Sequence, residues 1–449
     1  MQDVVEALRK SFGSNSVVTD PEITTSNATD WTGRFRGEAI CVIRPVNPWQ
    51  VQRAIEIARN SHTPITTQGG NTSLVGGATP VNGGVILSSQ FLKGIEIERT
   101  SQIARVGAGV TLTELNSKAG EFGLRFAVDL AARDSATLGG MVATNAGGIH
   151  VLRYGGTRQQ LVGIEAILGT GQMISRMEGL YKDNSGYDWA SILCGSEGTL
   201  GVITKAVVKL VPAAKHRSVA LVSVDTLAGA IRIMAEARRT FASLDAAEFM
   251  SRAGLKLVQR LGEKRWPLGD MPAYALLLET AGDEVEVDEL AEFLENHEEA
   301  TDAALAYDSR ADGLWSWREE QSVAINSQGI PHKLDVTIPI EEMPAFVGYV
   351  SELIGIEYPR VQAIFFGHLG DGNIHVNLLN VDEADDEIDH EILATVASSG
   401  GSISAEHGIG RAKVHDLSLT RSPQDIGSML SIKRALDPSH ILNPGILFD

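Results

Sequence analysis

Apolar positions Val51, Ala54, Ile55 and Ala58 recur at i, i+3, i+4 and i+7, the stripe of an amphipathic helix, and Pro48 after Asn47 stands where a first helical turn tolerates proline. Residues 64–67 then predict a short strand that feeds directly into a run of glycines, and residues 85–88 and 103–106 predict two more. Thr111-Leu112-Thr113-Glu114 carries the signature of a capping box, so another helix starts there. Beyond about Pro212 the segments lengthen and gain charge. A strand at 218–224 leads to an amphipathic helix at 227–241, with further strands at 274–279, 333–338 and within 361–380. The helix expected at 284–299 is heavily acidic and reads as a solvated face. A last helix is expected at 423–436, stopped by Asp437-Pro438, before an extended end at 441–445. The pattern is α+β, with residues 1–213 as one domain, 214–412 as a second and 413–449 as a carboxyl-terminal helical segment.

Composition narrows the class. A chain of 449 residues with 43% hydrophobic and 21% charged content has material for several cores and is not globally disordered. With 57 acidic against 38 basic side chains, the net charge of -19 would repel nucleic acid and anionic membrane surfaces. Cys41 and Cys194 make neither a disulfide framework nor a thiolate zinc site, which fits a reducing cytoplasm. Residues 1–10 contain Asp3 and Glu6 and lack the pattern of a signal peptide. The uncharged stretches 61–92 and 135–152 are broken by Gly, Asn, Thr and Ser, so no membrane span is expected.

The glycines are concentrated where backbone would approach a ligand. Gly69-Gly70-Asn71-Thr72-Ser73-Leu74-Val75-Gly76-Gly77 follows a predicted strand and offers successive N–H groups, a nest that can hold pyrophosphate without a lysine. It lacks the Lys-Ser/Thr of a P-loop, and Gly107-Ala108-Gly109 lacks the third glycine of a dinucleotide fingerprint. Ser196 is not in a nucleophile elbow, because Cys194 stands where the upstream glycine belongs. Together with Ala136–Met141, Thr144–Gly148 and Cys194–Gly201, the first loop resembles the FAD-binding domain of the vanillyl-alcohol oxidase superfamily, also called the p-cresol methylhydroxylase (PCMH) type. The resemblance implies a two-lobed FAD domain with the pyrophosphate on Gly69, Gly70, Asn71, Thr72 and Ser73, and Gly76 alongside. Thr137, Gly139, Gly140, Asn145, Gly147, Gly198 and Ile203 would surround the ribityl chain and isoalloxazine, and Asn443 would return from the carboxyl-terminal segment. A noncovalent flavin is expected, with His62 and His150 the nearby residues for any covalent attachment.

In the second half, Gly370-Asp371-Gly372 predicts a hairpin that brings His368 and His375 together, and strand alternation sets His375 and Asn377 on one face. Two imidazoles with Glu406 make a three-ligand divalent site with positions left open, and His407 stays available. A metallohydrolase is the competing class; it would be colourless, whereas a flavoprotein is yellow. Arg318 and Lys333 offer two cations, which suit a dicarboxylate better than lactate.

Read with 27–31, 314–319, 404–408 and 442–444, these motifs resemble the D-2-hydroxyacid dehydrogenases, the family of D-2-hydroxyglutarate, D-lactate and glycolate dehydrogenases. The resemblance implies His368, His375 and Glu406 as ligands of a metal, zinc first, with manganese or cobalt as alternatives. Arg318, Ser322, Lys333, Asn377 and His407 would contact the substrate, although the family commonly has threonine where Ser322 stands. The expected reaction oxidises a D-2-hydroxy acid to the 2-oxo acid, with hydride passing to flavin N5 and His407 as general base; D-2-hydroxyglutarate leads D-malate and D-lactate. It further implies an α+β cap domain with an antiparallel sheet, an acceptor such as an electron-transfer flavoprotein or a quinone, and a homodimer as a compatible assembly. The alternative is a glycolate or D-lactate oxidase subunit working within a larger redox complex.

Overall fold

In the computed structural model of the chain, which describes residues 2–81, 83–382 and 385–448, the helical stripe at Val51 becomes helix Pro48–Ser61. The Asn47 carboxamide oxygen accepts the Gln50 N–H at 3.0 Å, and Val51, Ala54, Ile55 and Ala58 are buried as the spacing requires. The capping box also forms: Thr111 Oγ1 accepts from the Glu114 N–H, and the Glu114 carboxylate accepts from the Thr111 N–H at 2.7 Å. Among the described residues no helix is long and apolar enough to cross a membrane.

Two units emerge, Met1–Gly147 with Tyr154–Ala213 and Glu406–Asp449, and Gly148–Arg153 with Ala214–Ala405. The first unit holds strands β1 (Val17–Val18), β2 (Cys41–Ile43), β3 (Ile65–Gln68) and β4 (Val85–Ser88) in the order β1-β2-β4-β3, with the last three parallel. Strands β5 (Ile95–Glu98), β6 (Ile103–Gly107), β8 (Leu161–Leu168), β9 (Met173–Arg176) and β10 (Gly201–Lys209) form an antiparallel sheet ordered β5-β6-β10-β8-β9. A small ladder pairs β7 (Leu124–Arg125) with β11 (Val211–Pro212).

The carboxyl-terminal residues complete this unit. Leu442 makes a parallel bridge to Ile65 of β3, through the Ile65 N–H to Ile441 O at 2.7 Å and the Asn443 N–H to Ile65 O at 2.8 Å. Residues 406–412, grouped with the second region from sequence, belong here instead. The buried Glu197 carboxylate accepts the Ile409 and Gly410 N–H groups at 2.8 and 2.7 Å, tying this run to a segment over 200 residues upstream. Burial raises the Glu197 pKa, and the two N–H donors and Lys413 oppose that rise.

Lys433 secures the same end. Its Nζ donates to Thr199 O at 2.7 Å, Asp437 Oδ2 at 2.6 Å and Leu442 O at 2.8 Å, satisfying all three ammonium protons. Lys433→Ala leaves the fully buried Asp437 without its cation. The expected loss is about 3–5 kcal/mol, a fall in Tm of roughly 10 °C by calorimetry.

The second unit is built on an all-antiparallel sheet in the order β15-β12-β14-β13-β17-β18-β16. Its strands are β12 (His216–Val224), β13 (Leu244–Ser251), β14 (Tyr274–Gly282), β15 (Asp302–Tyr307), β16 (His332–Thr337), β17 (Gln362–His368) and β18 (Asn373–Leu379). The acidic helix spans only Val287–Glu295, with Glu286 at its N-cap, where the Glu286 N–H donates to Ser218 Oγ at 2.9 Å and its carboxylate accepts from Ser243. Residues Gly148–Arg153 join this unit through Arg153, whose Nη1 reaches Ala281 O at 2.7 Å and Asp245 Oδ1 at 3.0 Å. Asp245 occupies the bulge between Leu244 and Ala246, and its other oxygen lies 3.0 Å from His150 Nδ1. With Glu279 these groups resemble a metal donor set, but Arg153 and Arg217 already supply the neutralising charge.

Candidate flavin and substrate sites

Strand β3 ends at Gln68 and the chain turns through Gly69 and Gly70, where any larger residue is excluded. A Cβ on Gly70 would lie 1.8 Å from Ser135 O, and one on Gly69 2.3 Å from Thr137 Oγ1. Among the described residues, the N–H groups of Gly70, Asn71, Thr72, Ser73 and Leu74 donate to no protein acceptor. Five successive unengaged donors make the nest expected from sequence and suit a diphosphate. Nearby polar atoms share this lack: Asn71 Oδ1, Thr67 Oγ1 and Ser196 Oγ are buried without a partner, though Asn71 Nδ2 donates to Thr29 O. A ligand bearing both phosphates and hydroxyl or N–H groups fits this donor set, as FAD does.

The other expected flavin residues have structural duties of their own. Ser73 Oγ accepts the Val75 and Gly77 N–H groups, shaping the loop, while Gly76 packs under Phe35. Thr137 caps helix Leu138–Thr144 by accepting the Gly140 N–H, and a Cβ on Gly139 would meet Ala108 at 2.6 Å. Asn145 ends that helix in the left-handed conformation, and its Oδ1 accepts the Arg158 N–H at 3.0 Å; Gly147 follows two residues on. Gly198 has φ +73°, and an added Cβ would stand 2.8 Å from Asn443 Nδ2. Ile203 is buried in β10 opposite Ala166. Asn443 spends both ends on the protein, Oδ1 accepting the Thr67 N–H and Nδ2 donating to Glu197 O, each at 2.8 Å. His62 is an exposed helix cap, and His150 is buried against Asp245 in the second unit.

One face of the second unit's sheet carries four of the expected residues, His368, His375, Lys333 and Asn377. Register places Phe366, His375 and Asp335 side by side across β17, β18 and β16, and two residues along sets Ile364, Asn377 and Lys333 in a parallel row. In the opposite direction His368 faces Glu248 of β13. Directly opposed residues share a face, so the hairpin turn at 369–372 does gather both histidines, with ring centroids 5.4 Å apart. His375 Nδ1 is 3.5 Å from Asp335 Oδ1, and His368 Nδ1 is 2.6 Å from Glu248 Oε1. The latter contact engages Nδ1 of His368, so a metal on that ring would be held through Nε2. Imidazole nitrogens and carboxylates fit a zinc-type ion.

Arg318, on helix Asp312–Glu319, stacks over Phe366 at 4.7 Å and pairs with Glu248 Oε2 at 2.6 Å. Ser322 lies four residues on, half-buried in helix Gln321–Asn326. Asn377 turns its Nδ2 back to His375 O at 3.3 Å. The chain leaves this unit at Ala405, whose N–H bonds Asp335 O at 3.3 Å, and the next two residues are Glu406 and His407, 3.8 Å apart between Oε1 and Nε2. Asp335 and Glu248 were not singled out from sequence. Asp335 was within reach of that reading, since it lies two residues beyond Lys333 on the same strand face; Glu248 was not.

Burial holds the Lys333 pKa down, from 10.5 to about 8. Lys333 therefore carries its charge below pH 8 and loses it above. The KM for a dicarboxylate is expected to stay flat up to about pH 8 and then to rise towards roughly tenfold per pH unit, with no such inflection in Lys333→Met. Between pH 8 and 10.5 the unfolded chain holds a proton that the folded chain has released, so the Lys333 contribution to stability rises with pH there.

Residues 39–175 match the FAD binding domain, and residues 213–447 match the FAD linked oxidases, C-terminal domain. The chain is 35% identical to a D-2-hydroxyglutarate dehydrogenase of Xanthomonas citri pv. viticola, over 100% of this chain and 96% of that protein. It is 32% identical to a D-2-hydroxyglutarate–pyruvate transhydrogenase of Saccharomyces cerevisiae, over 94% of this chain and 89% of the relative. Among solved structures, p-cresol methylhydroxylase shares the fold with a TM-score of 0.78 and 17% identity, covering 99% of this chain and 96% of that one. The α+β architecture is that of a PCMH-type flavoprotein. The chain belongs to the FAD-linked oxidases, in the same family as the D-2-hydroxyglutarate dehydrogenases, and is an FAD-dependent dehydrogenase.

Proposed function

We propose that this chain oxidises D-2-hydroxyglutarate to its 2-oxo acid, with D-malate as a shorter alternative and D-lactate as a poor one. The observation that carries the reading is the sheet face on which Lys333 and Asn377 lie one row from His375 and Asp335, with Arg318 stacked on Phe366 of that same row. Two cations beside an imidazole pair suit an acid with two carboxylates. The relatives named for D-2-hydroxyglutarate support the choice.

FAD supplies the hydride acceptor, held noncovalently by the 69–74 nest. His368, His375 and Glu406 would hold a divalent metal, zinc first, which would lower the pKa of the substrate hydroxyl. The residues of the chain do the rest. Arg318 binds one carboxylate through its planar fork, Lys333 the other, and Asn377 and Ser322 add hydrogen bonds that fix the C2 position. His407 takes the hydroxyl proton at its ring nitrogen. The acceptor that reoxidises the enzyme is, by this reading, an electron-transfer flavoprotein or a quinone, and the setting is cytoplasmic.

Anaerobic mixing of the yellow holoenzyme with a panel of D- and L-2-hydroxy acids tests the assignment. D-2-hydroxyglutarate is expected to bleach the oxidised flavin band fastest, D-lactate much more slowly and the L-enantiomers not at all. Bleaching by an L-acid, or by none of the panel, dismisses it.

A further inference from the structure

The carboxylate of Glu248 has no exposed surface and lies within β13, opposite Leu277 on one side and His368 on the other. Its two oxygens are divided between two functional side chains: Oε1 is 2.6 Å from His368 Nδ1, and Oε2 is 2.6 Å from Arg318 Nε. Both contacts are at the short end for charge-assisted hydrogen bonds. Arg318 is further confined by the Phe366 ring beneath its guanidinium. With Nε engaged, the terminal Nη1 and Nη2 pair is the edge left for a ligand carboxylate. With Nδ1 turned to Glu248, a metal held by His368 would take Nε2.

We propose that Glu248 is a positioning residue that joins substrate binding to metal binding, an inference that rests on the roles given above to Arg318 and His368. One carboxylate fixes both the imidazole tautomer and the direction of the guanidinium fork, so a change at Glu248 moves two properties at once. An ordinary buried ion pair would affect stability alone. A carboxylate behind a metal-ligating histidine typically contributes 10–100-fold to metal affinity.

The test is Glu248→Gln in the full-length holoenzyme, which preserves shape and removes the charge. The glutamine amide can accept at only one end, so either the His368 tautomer or the Arg318 fork loses its partner. Zinc affinity, measured by competition with a chromophoric chelator, is expected to fall roughly 10–100-fold. The KM for D-2-hydroxyglutarate is expected to rise at least about tenfold, with FAD content per chain unchanged. Zinc affinity and KM both within about twofold of the parent overturn the proposal. If the glutamine variant does not accumulate as a folded flavoprotein, Glu248→Asp replaces it: the charge remains but is one methylene too short to span both partners. At least about a fivefold loss in zinc affinity or a fivefold rise in KM is then expected, and the absence of both overturns the inference. His375→Ala separates the two levels. If it binds zinc as tightly as the parent, the metal assignment itself fails; if it loses zinc while Glu248→Gln keeps it, only the role of Glu248 falls.

Discussion

His407→Ala is expected to slow reduction of the flavin by D-2-hydroxyglutarate by ~10²–10⁴-fold, the range by which a positioned general base accelerates proton removal. FAD content should be unaffected. Bonds that shape the flavin loops are made by other residues: Asn71 Nδ2 donates to Thr29 O, Ser73 Oγ accepts the Gly77 N–H, Asn145 Oδ1 accepts the Arg158 N–H and Asn443 Nδ2 donates to Glu197 O. The ring is partly accessible, with 22% of its side-chain surface exposed, as a proton acceptor that must exchange with solvent requires. Stopped-flow absorbance under anaerobic conditions reads the step directly. A reduction rate equal to that of the parent would remove His407 from the mechanism.

Arg318→Ala is expected to act on both affinity and stability. The KM for dicarboxylates should rise by about 100-fold or more, because a bidentate charged partner is lost in a site that is largely shielded from water. Unfolding should become easier by about 3–5 kcal/mol, since Glu248 is left fully buried without its cation. The two effects separate in the double variant Arg318→Met, Glu248→Leu. Removing both charges recovers much of the stability, because two apolar groups carry no desolvation penalty, while KM stays high. Chemical denaturation and steady-state kinetics on the same preparations decide the matter. If Arg318→Ala matches the parent in KM, the residue does not bind substrate.

The elements most legible from sequence were those whose signal is local. Helix Pro48–Ser61 follows from a stripe of four apolar residues, and the hairpin of β17 and β18 follows from Gly370-Asp371-Gly372, which is why the two histidines could be paired in advance. The glycine nest could be read because consecutive small residues leave N–H groups uncovered. What was missed depends on distant partners. Glu248 sits in a strand whose every residue is buried, and it meets residues 70 and 120 positions away, so nothing next to it marks it. The 406–412 run was misgrouped for the same reason, its anchor Glu197 being 212 residues upstream of Ile409. Several glycines taken as ligand contacts also serve packing, as Gly139 against Ala108 and Gly198 against Asn443 show. Small size is ambiguous between the two causes until the neighbours are known.

The threading of the first unit bears on biosynthesis. Its segment from Glu406 onward is made after the second unit, yet it supplies the bridge to β3, the Lys433 anchor and the Asn443 clamp. The second unit, drawn almost wholly from Ala214–Ala405, is complete earlier on the ribosome. The first unit therefore closes only with residues that follow the whole of the second, and nascent chains halted at Ala405 are expected to carry a complete second unit beside an unfinished first one.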